Sequence, residues 1–104
     1  MIGVTTHVLD LAAGRPRAGL AVRLDRRNGA GDWQPIAEAV TDQDGRVRSW
    51  PDAPETTAGD HRLTFATGGF FPEVSVVFHV DQPERRLHIP LLLSPFGYTT
   101  YRGS

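Results

Sequence analysis

The chain contains no cysteine, which excludes disulfide scaffolds, thiolate metal sites and a cysteine nucleophile. Lysine is absent as well, and all 11 basic residues are arginine. That choice, alongside many Ala, Gly and Pro residues, reflects codon usage and carries no functional reading. A formal net charge of −1 leaves no basic excess with which to hold a polyanion. No apolar run approaches the roughly 20 residues that cross a bilayer as a helix. The first residues, Met1 to His7, have neither a basic n-region nor an apolar h-region, so no signal peptide is expected and a soluble, cytoplasmic protein is. A length of 104 residues suits a single domain, 1–104, built on one core.

Also missing is any amphipathic stretch with helical spacing. In its place are short alternating runs separated by Gly, Pro, Asn and Asp, the pattern of an antiparallel all-β domain. Strands are expected over Ile2 to Leu9, Ala21 to Arg26, Trp33 to Val40, Arg46 to Trp50, His61 to Thr67, Glu73 to Val80, Arg85 to Leu93 and residues 96–102. About eight strands at this spacing predict a sandwich of two antiparallel sheets. Asn28-Gly29 signals a hairpin loop, and Gly45 in Asp44-Gly45-Arg46 is expected at positive φ. The cleanest alternation places Val74, Val76, Phe78 and Val80 on one face, against Ser75, Val77 and His79. The carboxyl end runs from an apolar strand through a Pro/Gly turn into Tyr98-Thr99-Thr100-Tyr101 and closes on Arg102-Gly103-Ser104. It reads either as a plain edge strand or as a segment that presents Tyr101 and Ser104 to a site.

Chemistry falls first to the 4 histidines, whose imidazoles titrate near neutral pH. His61 and His79 read as solvated or hydrogen-bonded surface groups. His7 shares its alternation with Thr5 and Leu9, and His88 must point away from Leu87 and Ile89. Both sit inside strands, and residue type leaves surface and functional roles open for them. Zinc would need a third ligand that the chain does not offer, so no metal is expected. Neither a Gly-Xaa-Ser-Xaa-Gly elbow nor a phosphate loop is present. Arg46, placed directly after a tight turn, can be aimed at a planar acceptor. Two imidazoles, one guanidinium and one hydroxyl suffice to activate water against an acyl carbon.

Several blocks resemble the transthyretin-like 5-hydroxyisourate hydrolases. They are Thr6-His7-Val8-Leu9-Asp10, Gly14-Arg15-Pro16 with Ala18-Gly19-Leu20, Thr41-Asp42 with Asp44-Gly45-Arg46, Phe71-Pro72-Glu73-Val74, and His88-Ile89-Pro90-Leu91-Leu92-Leu93-Ser94-Pro95. The closing Tyr98-to-Ser104 segment is similar to the tail that marks these hydrolases, which hormone-carrying transthyretin lacks. The resemblance implies a transthyretin-like (prealbumin-like) sandwich that assembles as a homotetramer, a dimer of dimers with active sites at the dimer–dimer interface. It implies hydrolysis of 5-hydroxyisourate to 2-oxo-4-hydroxy-4-carboxy-5-ureidoimidazoline in urate catabolism, with no cofactor. By position, His7, Arg46, His88 and Ser104 would be catalytic, and His7, Arg46 and Tyr101 would bind substrate. The alternatives are a non-catalytic small-ligand carrier of the same fold and a monomeric interaction module. One departure stands out: Ala66-Thr67-Gly68-Gly69-Phe70 leaves no room for the short helix that such chains carry before the Phe-Pro-Glu-Val block, so that helix is expected to be deleted.

Overall fold

The first alternating run becomes Val4–Asp10 (β1) in a computed structural model that describes residues 3–104, so Ile2 lies outside the described residues. There follow Arg15–Pro16 (β2), Ala21–Arg27 (β3), Trp33–Val40 (β4), Arg46–Val47 (β5), Gly59–Phe65 (β6), Val74–Val80 (β7), Leu87–His88 (β8), Leu91–Ser94 (β9) and Gly97–Thr100 (β10). No helix occurs among the described residues, and none is long and apolar enough to cross a membrane. The strand expected over Arg85 to Leu93 is divided because Pro90, lacking an N–H, cannot continue the ladder. The stretch expected to run to Trp50 pairs only at β5; Trp50 turns inward and donates its indole N–H to the Val4 carbonyl at 2.8 Å.

The strands form the two sheets of a transthyretin-like sandwich. One has the order β4-β3-β6-β7 and is antiparallel throughout. The other has the order β10-β9-β1-β2, with β5 and β8 also paired to β1. Unlike the expected all-antiparallel arrangement, β1 runs parallel to both β8 and β9. Parallel neighbours need a long crossover, and here the whole β4-β3-β6-β7 sheet lies between β1 and β8 in the chain. The inward residues of both sheets, among them Val4, Val8, Leu24, Leu63, Phe65 and Leu91, share one core cluster.

Two features depart from simple alternation. Asp25 shares the outward face of β3 with Arg23 yet is only 1% exposed. Arg62 and Arg23 cover it, with Arg62 Nη2 at 2.9 Å from Oδ2 and Arg23 Nε at 3.1 Å from Oδ1. Trp33 lies against the guanidinium groups of Arg27 and Arg62 on the same side, a cation–π pair of contacts that flattens the charged layer onto the sheet. His61, read as a surface histidine, is instead 1% exposed. Its alternation with Leu63 and Phe65 turns it inward, where it stacks on Phe78 and its Nδ1 lies 3.0 Å from the Gly59 carbonyl oxygen. His79 stays outside and pairs with Asp60 at 2.8 Å.

Turn chemistry closes the loops. Asn28 Oδ1 accepts from the backbone N–H groups of Ala30 and Asp32, and Gly31, rather than Gly29, takes the left-handed conformation at φ 86°. Where a helix was expected to be missing, Thr67 to Pro72 makes a tight turn: Gly68 N–H donates to Pro72 O at 2.9 Å and the Thr67 hydroxyl donates to Phe71 O.

Burial lowers the pKa of His61 from its ordinary 6.5. Its unfolded form therefore binds protons first, and stability held above pH 6.5 is lost as pH falls toward the folded value. Urea unfolding of the wild type and His61→Phe at pH 8 and pH 5.5 should show a larger acid loss in the wild type. An equal loss in both would contradict a buried neutral imidazole.

Candidate active site

Arg46 is aimed by the turn that precedes it. Asp42 Oδ1 accepts from the backbone N–H of both Asp44 and Arg46, each at 2.9 Å. Gly45 has φ 76°, as expected, and a Cβ there would stand 2.5 Å from the Val8 carbonyl oxygen. Only glycine lets this turn approach β1 closely enough for Val8 N–H to donate to Gly45 O at 2.7 Å. That contact brings β5 into antiparallel register, with Arg46 opposite His7. Directly opposed residues of such a pair share a face, their Cβ atoms about 5 Å apart.

His88 arrives from the other edge of β1. The parallel register sets it beside Thr5, two residues from His7 on the same face. Ile89 N–H donates to Thr5 O at 2.9 Å and Leu87 N–H to Gly3 O at 2.7 Å, so the backbone on both sides of His88 is fixed. Its ring is fixed too: Nδ1 lies 2.9 Å from the Thr5 hydroxyl oxygen. Burial pushes the His88 pKa below 6.5, and the positive charges of Arg46 and His7 push in the same direction. The imidazole is therefore neutral, and basic, at pH 7. His7 Nε2 is buried and has no hydrogen-bond partner among the described residues. A buried polar atom without a partner costs about 1–3 kcal/mol, which makes this nitrogen a candidate functional group.

The tail is tied to this cluster through Gly103. Its N–H donates to the His88 carbonyl at 2.7 Å, making an isolated antiparallel bridge. A Cβ on Gly103 would stand 2.7 Å from His88 Cδ2, so the glycine backbone lies against the edge of the imidazole. Ser104 follows immediately and is exposed. Tyr101, by contrast, does not join the cluster within one chain. It lines a separate groove of about 230 Å³ with Val76, Phe78, Leu87 and Ile89, where the edges of the two sheets meet.

Thr5, Gly103, Arg48 and Arg86 were not picked out as site residues from sequence. Arg48 and Arg86 line a shallow pocket of about 220 Å³ with Thr5, Arg46 and His88. Arg48 is held there by Asp44 at 3.4 Å and Asp42 at 3.8 Å. The alternation Thr5-Thr6-His7 signalled that Thr5 faces the same way as His7. Its contact with His88 depends on a parallel pairing that no local pattern encodes.

Comparison with known proteins follows the same lines. Residues 4–103 match the model of the HIUase/Transthyretin family. The 5-hydroxyisourate hydrolase of Caulobacter vibrioides is 44% identical, with all of both chains covered. The solved structure of Klebsiella pneumoniae 5-hydroxyisourate hydrolase superposes with a TM-score of 0.82 at 32% identity, over 97% of this chain and 98% of that one. Sea bream transthyretin in complex with thyroxine superposes with a TM-score of 0.89 at 30% identity, over 97% and 94%.

Gly103→Ala should force the tail off the His88 ring. Amide hydrogen exchange at position 103 should then speed up markedly, while global stability changes by no more than about 0.5 kcal/mol, as for other substitutions outside the core. Retained protection at position 103 would show that the tail and the imidazole are not in contact.

Proposed function

The chain belongs to the HIUase/Transthyretin family, and we propose that it is a 5-hydroxyisourate hydrolase of urate catabolism whose water-activating machinery is His7, Arg46 and His88. The observation that carries this reading is the convergence of a neutral imidazole, a permanently charged guanidinium and an unpartnered buried imidazole nitrogen on one face of β1. A site that only bound an apolar ligand would have no use for such a group of bases and cation.

In the proposed reaction an imidazole takes a proton from water as its oxygen bonds to a ring carbonyl carbon of 5-hydroxyisourate. Arg46 stabilises the oxyanion that develops, in surroundings where a fixed charge is worth more than in bulk water. The carbon–nitrogen bond of the cyclic amide then breaks, and the second imidazole, or the first one returning its proton, protonates the leaving nitrogen. The opened ring carries the new carboxylate of 2-oxo-4-hydroxy-4-carboxy-5-ureidoimidazoline. These steps require no cofactor. Ser104 is proposed to add its hydroxyl or terminal carboxylate to the site, a role supported by the neighbouring bridge from Gly103 to His88.

The proposed assembly is a cytoplasmic homotetramer, a dimer of dimers. The strands β7 and β10 end their sheets, β7 leaves Val77 55% exposed, and Val76 and Phe78 of the same strand line the groove that contains Tyr101. Edges of this kind invite pairing with a second copy. Substrate positioning by Tyr101 is proposed for the assembled tetramer, in which the tail of one subunit borders a shared site.

Freshly prepared 5-hydroxyisourate should lose its ultraviolet absorbance in the presence of the protein faster than it does spontaneously. His7→Ala, His88→Ala and Arg46→Ala should each lower kcat by about 100-fold or more. A decay no faster than the spontaneous rate, with tight binding and no turnover, would return the carrier reading.

Because the pKa of His88 is lowered, the acid limb of kcat/KM should have its midpoint below 6.5, with activity lost as pH falls through it. A midpoint above 6.5 would mean that the essential base lies elsewhere.

A further inference from the structure

The hydroxyl of Thr5 touches two groups. Its oxygen lies 2.9 Å from His88 Nδ1, and the hydroxyl donates to the Leu87 carbonyl at 3.4 Å. A threonine hydroxyl has one proton to give. With that proton directed to Leu87 O, only lone pairs face the imidazole, and Nδ1 must carry its own hydrogen to complete the contact. The chain His88 Nδ1–H to Thr5 Oγ1–H to Leu87 O then satisfies every donor. The opposite tautomer forfeits the bond to Leu87 and puts an N–H, in place of a lone pair, at Nε2 of a ring that lines one pocket with Arg46, Arg48 and Arg86. A lone pair beside those cations is favoured electrostatically over an N–H dipole that points its positive end at them. Gly103 completes the clamp by lying against the Cδ2 edge of the same ring.

We infer that Thr5 is a positioning residue that holds His88 as the Nδ1–H tautomer, so that Nε2 presents its lone pair to the site. The nitrogen that carries the proton in a neutral imidazole is set by the hydrogen bond made at the other nitrogen, and here the partner is a hydroxyl braced by a backbone carbonyl. In the proposed hydrolysis, on which this role rests, His88 Nε2 is then the group that takes the proton from water. The proton that His88 has taken is then passed to the leaving nitrogen, directly or relayed through His7.

The test pairs a spectroscopic readout with a kinetic one. Nitrogen-15 NMR of imidazole-labelled protein at pH 8, where His88 is neutral, should show it as the Nδ1–H form in the wild type. In Thr5→Val, which keeps the shape and removes the hydroxyl, that form should give way to a mixture of tautomers. The variant should lose about 10- to 100-fold in kcat, the usual cost of removing a group that orients a functional histidine, with KM nearly unchanged. Thr5→Ser should restore both the tautomer and the rate. A wild-type His88 protonated at Nε2 would overturn the inference, and so would a Thr5→Val protein with unaltered tautomer and unaltered kcat. The wild-type and Thr5→Ser spectra decide the matter even where Thr5→Val fails to fold. If the wild type holds the Nδ1–H form yet does not consume 5-hydroxyisourate, the hydrolase reading fails and the positioning of His88 stands.

Discussion

Hydrogen bonding along both edges of β1 is the constraint on which the rest of the site depends. One edge receives β2 and β5, and the other receives β8 and β9. Arg46 and His88 are brought to His7 by opposite edges of the same strand, from turns far apart in the chain. Strand pairing fixes side chains to within the tolerance of the ladder itself, which a loop-borne cluster does not achieve. A slip of one residue in either register would send the imidazole or the guanidinium to the core face. The Gly45 approach to Val8 on one side and the Ile89–Thr5 hydrogen bond on the other guard against such slips.

The electrostatics follow from that geometry. Burial of the His88 ring disfavours its protonation, and the permanent cation of Arg46 beside it adds to the effect. Arg46 thus carries a fixed positive charge beside a His88 imidazole whose neutral form is favoured. An arginine is suited to this arrangement because its own proton is not in play. Among the described residues, His7 Nε2 lies buried without a hydrogen-bond partner, whereas Asp25 on the other sheet is satisfied by Arg23 and Arg62.

What could be read in the sequence divides along physical lines. Alternation made β1, β3, β4, β6 and β7 visible because each has one face in the core and one outside. The turn at Asp42 to Arg46 was visible because Gly45 must adopt a left-handed backbone, and with it came Arg46 as an aimed guanidinium. The face shared by Thr5 and His7 was equally legible. The parallel pairing of β1 with β8 was not, since it joins the two ends of the chain and leaves no local trace. Without it, the contact of Thr5 with His88 and the packing of Gly103 on the imidazole are invisible. His61 was misplaced because it sits at a loop edge; its alternation with Leu63 and Phe65 in β6 turns the imidazole into the core. Tyr101 was grouped with the histidines through the family tail, whereas within one chain its ring lies over the groove between the sheet edges.

The shortened turn from Thr67 to Pro72 shows how far the site is insulated from change elsewhere. Phe70 and Phe71 meet edge to face there, and they extend to Phe96 and Tyr98 of the β9–β10 hairpin. This aromatic group borders the Asp10 end of β1, whereas His88 pairs at Thr5, five residues back along the strand. At about 3.3 Å per residue the two lie some 17 Å apart. Phe70 in this turn is 68% exposed. Neither β5 nor β8 pairs with any residue of the turn. The pairings that set Arg46 and His88 beside His7 on β1 therefore lie at the end of the strand remote from this turn.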